Sequence, residues 1–220
     1  MQRTLQCFCT ALIVVLALGF VQVASFGQSA HDNVVIILDG SGSMKEAMGT
    51  TGKQKMVAAK EALTSVLAQV PESTHIGLLV FTASKRQGWV YPIGPRDNEK
   101  LRTAIQGIQP GGGTPLGKYM KMGVDELLKK REKQFGYGSY KILVVTDGAA
   151  SDAADMEKYM TDILSRGLRV DVIGVAMKKD HTLATRAHSY RRADDHSSLQ
   201  QALTEVFAEV SLSDDSASLD

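Results

Sequence analysis

Two kinds of hydrophobic pattern alternate along the chain. Short runs are apolar at nearly every position: Val34-Val35-Ile36-Ile37-Leu38, Ile76-Gly77-Leu78-Leu79-Val80-Phe81, Ile142-Leu143-Val144-Val145 and Leu168–Ala176. Such runs suit strands of a parallel sheet covered on both faces. Between them, apolar residues recur every three or four positions, the spacing of one helical face. Lys53–Val70 does this with Met56, Ala59, Leu63, Val66, Leu67 and Val70, and Pro71 is expected to stop it. Asp97–Ile108 follows with Leu101, Ala104, Ile105 and Ile108 inward. The next helix opens with Thr114 as cap and Pro115 at its first position, and runs to about Lys133. Ala153–Leu164 and Ser198–Val210 are the last two helices. Trp89–Tyr91 reads as a short strand closed by Pro92, and His188–Ala193 as a polar edge strand. Strand and helix in alternation predict an α/β domain over residues 32–210, a parallel sheet with helices on both faces.

Composition adds limits to that picture. A chain of 220 residues with 44% hydrophobic content is enough for one sizeable core. The formal net charge is +1, and no basic run or aromatic ladder supports a nucleic-acid partner. Lys129-Lys130-Arg131 reads as a solvated helix end. At the start, Arg3 precedes the apolar stretch Ala11–Phe20, and small residues follow at Ala24 and Ser25. That order describes a secretory signal peptide over residues 1–25, with cleavage after Ala24 or Gly27 as alternatives. The rival reading is an uncleaved anchor, since Leu5–Phe26 approaches membrane-spanning length. The expectation is therefore a secreted, periplasmic or cell-envelope protein, with membrane contact only if the leader stays. Cys7 and Cys9 both lie in this leader, so no disulfide is expected in the mature chain. Ser211–Asp220 is serine-rich and acidic and reads as a disordered tail.

Chemistry enters where buried strands end. The first strand runs into Asp39-Gly40-Ser41-Gly42-Ser43, one carboxylate and two hydroxyls separated by glycines that let the backbone turn sharply. The Lys141–Thr146 strand runs into Asp147-Gly148. In open α/β sheets, ligands collect beyond the carboxyl ends of strands where the strand order reverses. If these two strands are neighbours there, Asp39 and Asp147 meet, and a divalent cation relieves their repulsion. Thr114, after Gly111-Gly112-Gly113, stands on a loop tip that can reach the same crevice. All the donors are oxygens, the type hard cations select.

The candidate metal ligands are thus Asp39, Ser41, Ser43, Thr114 and Asp147. Asp-x-Ser-x-Ser, then Gly-Gly-Thr-Pro-Leu, then Val-Thr-Asp-Gly resembles the von Willebrand factor type A family, whose metal-ion-dependent adhesion site has these five positions. The resemblance runs from about Val34 to Phe207 and includes Gly52-Lys53, Ala59-Lys60 and Gly77-Leu78. It implies a doubly wound, mostly parallel six-stranded sheet in order 3-2-1-4-5-6, with Trp89–Tyr91 as the antiparallel edge. It implies Mg²⁺ as the occupant, with Mn²⁺ or Ca²⁺ as alternatives. Ser41, Ser43 and Thr114 would reach the ion directly or by water, Asp39 and Asp147 mainly through water. Such a donor set leaves the ion electrophilic, and an Asp or Glu carboxylate of a partner protein is the natural replacement for a bound water. The expectation is a non-enzymatic adhesion module; an assembly subunit of an envelope complex is the alternative, and a metal-dependent hydrolase a more distant one.

Other features read as structure. Gly49-Thr50-Thr51-Gly52-Lys53 fails as a phosphate loop because Ala47 and Gln54 stand where glycine and Ser or Thr are needed. His181, His188 and His196 read as surface histidines. Ser41 and Ser43 lack a nucleophile-elbow context. The Met44, Met56, Met120, Met122, Met156 and Met160 group reads as packing, and Trp89 as a packed edge-strand aromatic.

Overall fold

The computed structural model describes residues 31–49 and 52–216, with no account of side chains beyond residue 209. The expected signal peptide, residues 1–25, lies outside the described residues. Among the described residues eight strands form: β1 Asn33–Asp39, β2 Ala47–Met48, β3 Lys53–Gln54, β4 His75–Phe81, β5 Gly88–Gly94, β6 Tyr140–Thr146, β7 Arg169–Val175 and β8 Ser189–Ala193. Five α-helices accompany them: α1 Lys55–Leu67, α2 Asn98–Gln106, α3 Leu116–Lys133, α4 Ala153–Ser165 and α5 His196–Ser216. Six strands make one sheet in the order β5-β4-β1-β6-β7-β8, which is 3-2-1-4-5-6 when those six are counted in sequence. Within that sheet all pairings are parallel except β4 with β5.

The continuous apolar runs explain this order. β1 and β6 are buried at every position, as central strands covered on both faces must be. Alternation then divides the core. Val34, Ile36 and Leu38 face a layer that includes Leu63 and Val66 of α1, Leu101 of α2 and Leu203 and Phe207 of α5. Val35 and Ile37 face Met120 and Val124 of α3 and Met160 and Ile163 of α4. The methionines expected in the core are there: Met44, Met56, Met120, Met156 and Met160 are buried, and Met122 packs partly buried against the layer that holds Met120, Met156 and Met160.

Several local expectations are corrected. β5 does not close at Pro92 but runs to Gly94, because an edge strand can leave one side of its ladder unpaired and so tolerates a residue without an N–H. Trp89 on it packs against the α3 side of the core. Lys53 and Gln54 do not begin a helix; they pair with Ala47 and Met48 as an antiparallel ribbon, and α1 begins at Lys55 and ends at Leu67, before Pro71. α5 extends to Ser216, into the stretch read as a disordered tail. Its inner end is held by charge: Arg169 and Arg191 both pair with Glu209, and Lys141 Nζ donates to the Val206 carbonyl at 3.0 Å. Among the described residues no helix is long and apolar enough to cross a membrane.

Candidate metal centre

The strand order reverses between β1 and β6, and both strands deliver a carboxylate at that end. Leu38 pairs with Val145, so Asp39 at the tip of β1 lies beside Thr146 and Asp147. The loop after β1 must then pass close to β4. Gly40 N donates to the Phe81 carbonyl at 2.9 Å, and a Cβ at residue 40 would sit 2.7 Å from that oxygen, so only glycine fits. The glycine loop before α3 is stitched to this turn by backbone hydrogen bonds. Gly111 N donates to the Gly40 carbonyl at 2.7 Å, and Gly42 N to the Gly112 carbonyl at 2.9 Å.

Within this frame the side chains converge. Asp39 is fully buried; its Oδ1 accepts from Ser41 N at 2.8 Å and its Oδ2 from Thr146 Oγ1 at 2.6 Å. Ser41 Oγ and Ser43 Oγ are 3.0 Å apart. Ser43 Oγ donates to Asp147 Oδ1 at 2.7 Å. Four of the five candidate residues therefore form one continuous hydrogen-bonded chain. Thr114 joins them through the backbone of the glycine loop and of Ser151, whose N donates to the Thr114 carbonyl at 2.8 Å.

Thr114 is not the helix cap that sequence suggests. α3 begins at Leu116, and the free amides of Gly117 and Lys118 are taken by Asp152 Oδ1 at 3.0 Å and Oδ2 at 2.8 Å. A carboxylate offers two charged acceptors to two donors and wins over one neutral hydroxyl.

Burial raises the Asp39 pKa from its ordinary value. Hydrogen bonds from Ser41 and Thr146 oppose that, and the charge of Asp147 adds to it. Next to the cluster stands a cation of the chain itself. Lys55 Nζ donates to Asp147 Oδ2 at 2.9 Å and to Glu46 Oε2 at 3.0 Å, with its side chain only 7% exposed. Burial works against this ammonium, but its bonds to Asp147 and Glu46 outweigh burial and raise its pKa overall. Thr146, Lys55 and Asp152 were all missed from sequence. Thr146 had a signal in its place directly before Asp147; Lys55 had none, since it reads as one more polar helix position.

A groove of about 730 Å³ runs from Ser43, Lys55 and Asp147 to Met177 and His181. His181 is not a surface residue: it is 3% exposed, and its Nδ1 accepts from Leu183 N at 3.0 Å to cap the 3-10 turn Thr182–Thr185. That burial lowers its pKa. His188 is exposed, and His196 is half-buried beside Glu61. Gly49 borders the groove, as a loop framing the site would.

The side chains brought together here are two carboxylates and the hydroxyls of Ser41 and Ser43, and among the described residues no group of three His, Cys, Asp or Glu side chains is placed to hold a metal ion. Oxygen donors with two anionic groups in a buried place suit a hard divalent cation.

A model of the von Willebrand factor type A domain matches residues 33–209. The chain belongs to the von Willebrand factor type A family. Domains of this family generally mediate metal-dependent binding of proteins and are typically not enzymes. Among curated proteins the chain resembles the uncharacterized protein YwmD of Bacillus subtilis, 26% identical over 147 residues, 60% of this chain and 63% of that one. Among solved structures, a von Willebrand factor type A protein from Catenulispora acidiphila superposes with a TM-score of 0.68 at 20% identity, over 83% of this chain and 43% of that one. Manganese-loaded TRAP protein of Plasmodium vivax superposes with a TM-score of 0.58 at 17% identity, over 81% of this chain and 73% of that one. The chain thus spans less than two thirds of the length of YwmD and of the Catenulispora protein.

Proposed function

We propose that this von Willebrand factor type A domain is an exported, non-catalytic binding module. Asp39, Ser41, Ser43, Thr114 and Asp147 would hold one divalent cation, Mg²⁺ by expectation and Mn²⁺ or Ca²⁺ as alternatives. When bound, the ion would supply an electrophilic position for a carboxylate oxygen from an Asp or Glu of a partner protein. The residues do the remaining work. The buried carboxylates of Asp39 and Asp147 supply the charge, the hydroxyls of Ser41 and Ser43 fill the space between them, and Gly40 fixes the turn that aims them. One observation carries the reading: Asp39, Ser41, Ser43 and Asp147, more than a hundred positions apart at the extremes, share one unbroken hydrogen-bonded chain. The manganese in the TRAP structure supports it for the same fold.

Isothermal titration of the protein with MgCl₂ and with MnCl₂ tests the site. The expected result is one ion per chain, with binding lost in Asp39→Ala. Stoichiometric binding that survives in the Asp39→Ala/Asp147→Ala double variant would overturn the assignment.

A further inference from the structure

Lys55 is where the candidate centre departs from a simple cation cage. It is the first residue of α1, its backbone N donates to the Glu46 carbonyl at 3.0 Å, and its ammonium is sandwiched between Asp147 and Glu46. The same Asp147 carboxylate also accepts from Ser43 through its other oxygen. An ammonium thus already neutralises one of the two site carboxylates, from a position almost closed to water. A dication placed among these oxygens would lie close to a like charge that solvent and salt screen poorly.

We propose that Lys55 is the resident counter-ion of this site, competing with the divalent cation for Asp147 and holding the affinity of the domain for metal below what its oxygens alone would give. The inference rests on the metal site proposed above. Glu46 is the second half of the device. Its side chain is 68% exposed and it already shares the ammonium, so it is the place to which Lys55 can withdraw on its flexible stem when Asp147 turns to an ion. In the metal-free protein the ammonium offsets the carboxylate repulsion that would otherwise strain the cluster. In the loaded protein it pairs with Glu46 alone.

Titration of the full chain with MgCl₂ and MnCl₂ separates this role from a merely structural ion pair. Lys55→Met should tighten divalent binding by on the order of tenfold, while Lys55→Arg, which keeps the charge, stays near the parent affinity. Glu46→Gln removes the resting place and should weaken binding, with most of that effect gone when it is combined with Lys55→Met. Unchanged or weaker binding in Lys55→Met would overturn the proposal. So would a Glu46→Gln effect of equal size in both backgrounds, a comparison that Lys55→Gln can replace if Lys55→Met does not fold. If the parent chain binds ions and Asp39→Ala abolishes binding while Lys55→Met changes nothing, the site stands and the role of Lys55 alone falls. If the parent chain binds no divalent ion, both fall.

Discussion

His75 opens β4 at the end of the sheet opposite Asp39, and the two residues show burial acting on groups of opposite charge type. Burial disfavours any charge, so it raises the pKa of the Asp39 carboxyl and lowers that of the His75 imidazole. For His75 the value falls to about 4, with the charges of His31 and Lys130 adding to the effect. Its ring stacks on His31 with centroids 4.3 Å apart. The unfolded chain keeps the ordinary value of 6.5 and binds the proton first as pH falls. Between 6.5 and about 4 the unfolded state therefore carries more protons at His75, so the contribution of His75 to stability declines with falling pH through that window, while the raised Asp39 carboxyl acts in the opposite sense at its lower end. Denaturation curves across the window should show the decline, and His75→Phe, which keeps an aromatic ring against His31, should flatten part of it. An NMR titration placing the His75 midpoint at or above 6.5 would contradict the reading.

At the scale of elements, the approach of α3 to α4 depends on one missing side chain. A Cβ at Gly117 would lie 2.8 Å from Met156 Cα and closer still to the Met156 backbone nitrogen. The obstacle is backbone, which cannot swing aside as a side-chain tip can. Alanine gains about 1 kcal/mol of helix propensity over glycine, but prying the helices apart costs roughly 1–3 kcal/mol. Gly117→Ala should therefore lower the unfolding free energy in urea, and an increase would show that α4 yields without cost. The same substitution disturbs the hydrogen bond from Gly117 N to Asp152, which holds the start of α3 beside Thr114. The half-buried edge strand β5 ran past the Pro92 where the sequence closed it. The pattern of apolar runs was enough to place the four central strands β1, β4, β6 and β7, because strands buried on both faces leave no polar register to misread. Asp39, Ser41, Ser43 and Asp147 were legible for a related reason: polar residues at the tips of such strands have no packing role. What escaped was set by tertiary contact. The carboxylate of Asp152 outcompetes Thr114 for the α3 amides only once the 147–152 loop folds against it. His181 is buried although the Lys178-Lys179-Asp180 stretch before it is exposed, because its ring turns inward to cap the Thr182–Thr185 turn. Lys55 looks like any solvent-facing lysine until Asp147 arrives from the other side of β1.

For the whole molecule, the consequence is that the candidate site exists only when the sheet does. Asp39 and Thr114 stand far apart in sequence, and Asp147 comes later still; β1–β6 pairing and the stitching of Gly111 and Gly112 to residues 40 and 42 are what bring them together. A ligand that binds only the folded state stabilises it by mass action, by about 2.7 kcal/mol when its free concentration is a hundred times the dissociation constant. For a domain of this size each kilocalorie moves the thermal midpoint by roughly 2–4 °C, so saturating Mg²⁺ or Mn²⁺ should raise it by about 5–10 °C. Chelator should reverse the shift, and Asp39→Ala/Asp147→Ala should abolish it. A peptide spanning residues 33–48, with the whole Asp-x-Ser-x-Ser loop but neither Thr114 nor Asp147, should bind neither ion measurably. If the peptide matched the intact chain, the loop alone would be the ligand and the long-range assembly would be incidental. If the double variant kept the full thermal shift, the ion would be binding elsewhere. Loss of the shift together with a silent peptide would show that the ion ties distant segments, and that metal affinity and folding of the sheet are one equilibrium.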